Sequence, residues 1–133
     1  METKPSTWLQ IRAVLAGFLI IAILSTAADM VMHASGIYPP PGTRMADHLF
    51  IPATLYRIAF GILGSWITAR LAPNAPMKHA LILGGIGVLV SSGGAMAMWD
   101  MGPAWYSLAI IAIALPCAWL GAKIHERLKH EDH

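Results

Sequence analysis

Four long apolar runs, separated by short polar breaks, constrain this chain more than anything else in its 133 residues. They lie at about residues 11–33, 49–71, 80–99 and 104–122. A helix advances about 1.5 Å per residue, so about 20 apolar residues cross a hydrocarbon core about 30 Å thick while satisfying their own backbone hydrogen bonds. Composition agrees, because only 12% of the residues are charged, half of the roughly 25% usual in soluble domains. The sequence therefore predicts an all-α fold, a single domain built as a bundle of four transmembrane helices, with a polar tail at 123–133. The implied partner is the lipid bilayer. A net charge of +2 is too small to imply nucleic acid. Cys117 is the single cysteine, so no intramolecular disulfide is available.

The breaks between the runs carry the turn chemistry. In the first run, Arg12 and Asp29 bracket about 25 Å of helix, one charge for each interface, with Trp8 as an interfacial anchor. A cleaved signal peptide, with small Ser25 and Ala27 before the cut, is the rival to a retained span. Gly36–Pro41 (GIYPPP) cannot continue a helix, since successive prolines remove donors and fix φ. Asp47 is placed to cap the second helix. Ala72–Pro76 (APNAP) reads as a tight turn and Asp100–Pro103 as a very short one. The third and fourth spans hold no charge, and Pro116 predicts a kink in the fourth.

Charge placement sets the orientation. Lys4, Arg12, Arg70, Lys78, Lys123, Arg127 and Lys129 fall on one side. Arg44 falls on the other, with Asp47 and Asp100 and with Asp29 at its edge. By the positive-inside rule both termini are cytoplasmic. Two short matches point to a repeat. Met30-Val-Met32-His33-Ala-Ser-Gly36 pairs with Met96-Ala-Met98-Trp99-Asp-Met-Gly102, and Trp66-Ile-Thr-Ala-Arg70 with Trp119-Leu-Gly-Ala-Lys123. A duplication would give two similar helical hairpins of one orientation.

Small residues fall in stripes at helical spacing: Ser25 with Asp29 and His33, Gly61 and Gly64 beyond Arg57, Gly84, Gly87 and Ser91, and Ala114, Cys117 and Gly121. Such stripes let membrane helices approach closely. They also imply that Asp29, His33 and Arg57 point inward. An arginine within a span must face the bundle and find a partner. Asp29 is the best by depth and Asp100 the second. The pair is read either as a structural bridge or as the anchor of a carboxylate- or phosphate-bearing solute. Asp29 and His33 share a helix face, but no metal-ligand pattern accompanies them and no metal is expected. Tyr56, Trp99, Trp105 and Tyr106 gather at one end, as an interfacial aromatic belt or as the floor of a lipid or quinone cleft. His125, His130 and His133 belong to a solvated tail. GGIG at Gly84–Gly87 is helix packing rather than a nucleotide loop. Candidate binding residues are Asp29, His33, Tyr56, Arg57 and Asp100. No catalytic set and no cofactor motif is visible.

The stretches DMVMHASGIYPP, ADHLF, LYR, TARLAPNAPMKHALILGGIG and GPAWYSLAIIAIALPCAWLGAK, spread over residues 11–123, resemble a family of small bacterial four-helix inner-membrane proteins. That resemblance implies the four-span layout and a bacterial inner membrane, and it carries over no catalytic residue. The first span has no glutamate of the kind small multidrug exporters carry. The expected function is binding or conduction of a small solute by a homo-oligomer through the polar cluster. The alternative is a non-catalytic accessory or assembly subunit of a larger membrane complex.

Overall fold

The computed structural model describes residues 7–40 and 45–131, with side chains to residue 129. Lys4, Pro41, Arg44, His133 and the side chain of His130, all used above, lie outside the described residues. The protein is an all-α bundle of four helices: α1 (Thr7–Ala34), α2 (Phe50–Leu71), α3 (Pro76–Ala97) and α4 (Ala104–Glu131). Each is long and apolar enough to cross a membrane. The 22 residues of α2 and of α3 reach about 33 Å, just over a hydrocarbon core. The 28 residues of α1 and α4 overshoot it. Ile23, Leu55, Leu89 and Leu108 stand exposed on the outside. A water-facing domain of this size would not leave so much apolar surface uncovered, and lipid is the solvent that covers it.

The helix ends depart from the sequence expectations in three places. Asp47 does not cap α2. It opens a 3₁₀ turn over Asp47–Leu49, and the cap position of α2 is Leu49. Pro76 belongs to the first turn of α3, where its missing N–H is harmless, and the connection before it turns through Ala75 at a left-handed φ of 42°. The tail is not a separate segment, because α4 runs on through Glu131 and stays helical across Pro116. At the end of α1, Gly36 takes the left-handed φ of 82° that side chains resist. That reversal lets the Tyr38 N–H return to the Met32 carbonyl at 3.0 Å.

Helix order around the bundle is α1, α2, α4, α3. The best-packed pairs are α1 with α2, α2 with α4, and α3 with α4. Contacts along the helices fix their senses. Thr68 Oγ1 donates to the Ala13 carbonyl at 2.8 Å while Arg57 reaches Asp29, so α1 and α2 are antiparallel. Phe50 packs on Tyr106 and Gly61 faces Cys117, so α2 and α4 run parallel. Two helical hairpins of one orientation result. They are not interchangeable, since α3 leans onto α2 whereas α1 scarcely meets α4.

The end of the bundle that holds the α2–α3 turn, here the terminal end, is tightly closed. Thr68, Ala69, Ala80, Leu83, Ala118 and Ala122 are all 2% exposed or less. Glycine makes this possible where backbones nearly touch. A Cβ on Gly64 would stand 2.8 Å from the Gly17 carbonyl, and one on Gly121 2.6 Å from the Ile62 carbonyl and 2.7 Å from the Trp66 nitrogen. Small residues replace an apolar driving force that lipid does not supply. Backbone atoms cannot step aside. Gly121→Ala should therefore destabilise the detergent-solubilised protein by about 1–3 kcal/mol, the usual range for overpacking, while Gly85→Ala, whose Cβ meets nothing within 4 Å, should leave thermal unfolding unchanged.

Candidate functional site

The opposite end of the bundle, which carries the α1–α2 and α3–α4 connections, is built around Arg57. Arg57 lies about two turns into α2. Its Nη2 donates to Asp29 Oδ2 across the α1–α2 interface at 2.8 Å. Its Nη1 reaches back to the Ala53 carbonyl at 3.5 Å, and its Cζ lies 5.2 Å from the centre of the Tyr56 ring. The Tyr56 hydroxyl donates to the other carboxylate oxygen, Asp29 Oδ1. With that proton committed, the Tyr56 oxygen accepts from the Tyr38 hydroxyl at 3.2 Å. Both carboxylate oxygens are thus satisfied, which a charge within a span requires.

Tyr38 is the member of this chain of groups that sequence reasoning missed. It is 4% exposed, although it belongs to a connection flanked by prolines. Its signal was present: an aromatic residue between a left-handed glycine and a proline run has few conformations open to it. His33 holds it from the side. The two rings meet edge to face at 5.3 Å, and His33 Nδ1 donates to the Pro39 carbonyl at 2.8 Å.

Two cavities meet at Arg57. The outer one, about 440 Å³, lies at the loop end among His33, Phe50, Met98, Tyr106 and Ser107. The inner one, about 180 Å³, lies deeper, where Ser25, Gly61, Ser65, Gly87, Ser91 and Cys117 come together from all four helices. Arg57 and Ile110 line both. The stripes of small residues therefore do two things. Gly17, Gly64 and Gly121 bring backbones together, while Ser25, Gly61, Gly87 and Ser91 leave space between them. Below Cys117 the closed core of the terminal end begins. The two cavities adjoin at Arg57 and Ile110, so a cation stands where one meets the other.

Of the five candidate residues, four gather here. Asp29, Tyr56 and Arg57 form one network, and His33 lines the outer cavity with Arg57. Asp100 does not join them. It is exposed in the 3₁₀ turn Trp99–Met101 and is not among the residues lining either cavity. The aromatic set divides as well. Trp99 and Trp105 are 47% and 44% exposed, as a belt requires, whereas Tyr56 turns to Asp29 and Tyr106 packs on Phe50 at 4.6 Å. Among the described residues, no three His, Cys, Asp or Glu side chains are grouped to hold a metal ion.

These features define a multi-pass helical membrane protein with a charged, hydroxyl-lined cavity. Comparison with protein-family models, with curated proteins and with solved structures finds no match to this chain.

The two side chains of the ion pair are only 26% and 33% exposed, so each needs the other. Asp29→Ala and Arg57→Ala should each lower thermal stability in detergent, and the double variant should be no worse than the poorer single. The coupling should be on the order of 1–2 kcal/mol. Additive losses would mean that the two residues act separately.

Proposed function

We propose that this protein binds a small polar solute, entering from the loop end, at Arg57 where the outer and inner cavities adjoin. The observation that carries the reading is that one guanidinium lines both the outer and the inner cavity. A guanidinium has more N–H donors than its contacts with Asp29 and the Ala53 carbonyl use. An oxygen acceptor on the solute, such as a carboxylate, suits the remainder. The hydroxyls of Ser25, Ser65 and Ser91 offer further donors and acceptors inside. A volume of about 180 Å³ holds a handful of waters or a molecule of a few heavy atoms.

The closely packed core under Cys117 supports binding over conduction within a single chain. Passage across the membrane would need a rearrangement or a homo-oligomer that builds a path between subunits. The basic residues at the terminal end support an orientation with both termini cytoplasmic and the cavity opening outward. The resemblance to small bacterial four-helix proteins supports a bacterial inner membrane.

Cys117, alone in the chain and set in the wall of the inner cavity, is a built-in reporter. A small anionic methanethiosulfonate reagent, applied to sealed vesicles from the loop end, should modify Cys117. The same reagent applied from the terminal end should not. Arg57→Gln should slow the anionic reagent about tenfold relative to its cationic counterpart, since it leaves the Asp29 carboxylate without its counter-charge. Equal labelling from both ends, or none from the loop end, would remove the basis for the proposal.

A further inference from the structure

A second cavity lies at the terminal end, away from the Arg57 network. It exists because α4 outruns α2. The chain leaves α2 at Leu71 and turns sharply through residues 72–75, whereas α4 continues past this turn to Glu131. Between the turn and the overhanging helix is a space of about 520 Å³, walled by Trp66, Arg70, Asn74, His125, Leu128 and Lys129. Two cations and an imidazole share this volume, and among the described residues no carboxylate lines it. On α4 the neighbouring Glu126 is engaged by Lys123 at 3.5 Å. Arg70 is held in place by stacking, its Cζ lying 5.3 Å from the centre of the Trp66 ring. The Trp66 indole N–H is buried with no acceptor among the described residues. Like charges gathered around one space repel one another, and an anion between them lowers the repulsion.

We infer that this terminal-end cavity binds an anionic phosphate group, gripped by Arg70 from α2 and Lys129 from α4, with Asn74 and His125 as further hydrogen-bond partners. The chemistry selects phosphate. The Arg70 fork matches two phosphate oxygens, Lys129 supplies a point charge, and the Asn74 amide adds neutral donors. The lining by Ala69, Pro73 and Leu128 is apolar, which suits a ligand with a nonpolar portion beside its phosphate. The cavity lies on the end richest in basic residues, where an anionic leaflet would lie against it, and basic pockets between helix ends are where lipid phosphates are held. The phosphate of an anionic lipid headgroup and that of a soluble metabolite present the same group. This inference does not depend on the solute proposal, because the two cavities share no residue.

The test uses the full chain, delipidated in a neutral detergent. Melting temperature is followed with short-chain phosphatidylglycerol, with short-chain phosphatidylcholine, and with inorganic phosphate against chloride at matched ionic strength. A rise of several degrees with phosphatidylglycerol alone identifies a lipid headgroup site. A rise with inorganic phosphate as well identifies a site open to soluble phosphate compounds. Arg70→Gln with Lys129→Gln should abolish the rise, Arg70→Lys should keep part of it, and Lys78→Gln with Arg127→Gln, outside the cavity, should keep all of it. Should neither phosphate probe exceed its control, or should the outlying pair of substitutions remove the effect equally, the site does not exist.

Discussion

A positive charge held within the span of α2 is the constraint on which the loop end depends. Arg57 cannot face lipid, so it must face the bundle, and once there it needs an anion at its own depth. Asp29 meets that need from the neighbouring helix. Its second oxygen then needs a donor of its own, which Tyr56 provides, and Tyr56 in turn accepts from Tyr38. One unfavourable charge thus fixes the register of α1 against α2 and draws the first connection down onto the bundle. Gly36 and the following prolines make that connection stiff enough to stay there.

The terminal half is organised by a different rule. Lipid gives helices no apolar reason to associate, so association comes from how closely backbones can approach. Gly17 against Gly64, and Gly121 against the Ile62 carbonyl, bring α2 into near contact with both of its neighbours. Thr68 adds a hydrogen bond to the Ala13 carbonyl. The two halves are therefore complementary. Close packing seals the terminal end, and polar networking props the loop end open. The cavity between them follows from having both in one bundle.

The same division separates the two sites. At the loop end one cation is largely neutralised by its carboxylate partner, which favours a small polar solute over a bare anion of high charge. At the terminal end Arg70, Lys129 and His125 share a space that, among the described residues, no carboxylate lines. That arrangement favours a fully charged phosphate. Both sites sit where a helix end or a connection interrupts regular packing, since only there does a membrane bundle have room for a ligand.

The sequence by itself determined the architecture, because the lengths of the four apolar runs and the prolines between them admit few other solutions in a bilayer. It also determined that Arg57 must turn inward and that Asp29 matched it in depth, since both follow from helix rise and the cost of a charge in hydrocarbon. The stripes through Gly61, Gly84 and Cys117 were legible as interior faces for the same reason. Only the tertiary structure decided the rest. Periodicity gives the face of a residue but not the distance to the next helix, so it could not say that Gly64 touches a backbone while Gly61 borders a void. It could not place Asp100, which lies exposed in the 3₁₀ turn Trp99–Met101. Nor could it name the partner of Tyr38, which meets Tyr56 after Gly36 turns the chain. The α4 overhang that forms the terminal-end cavity was equally hidden, since a polar sequence beyond Ala122 reads as a tail until a helix is seen to continue through it.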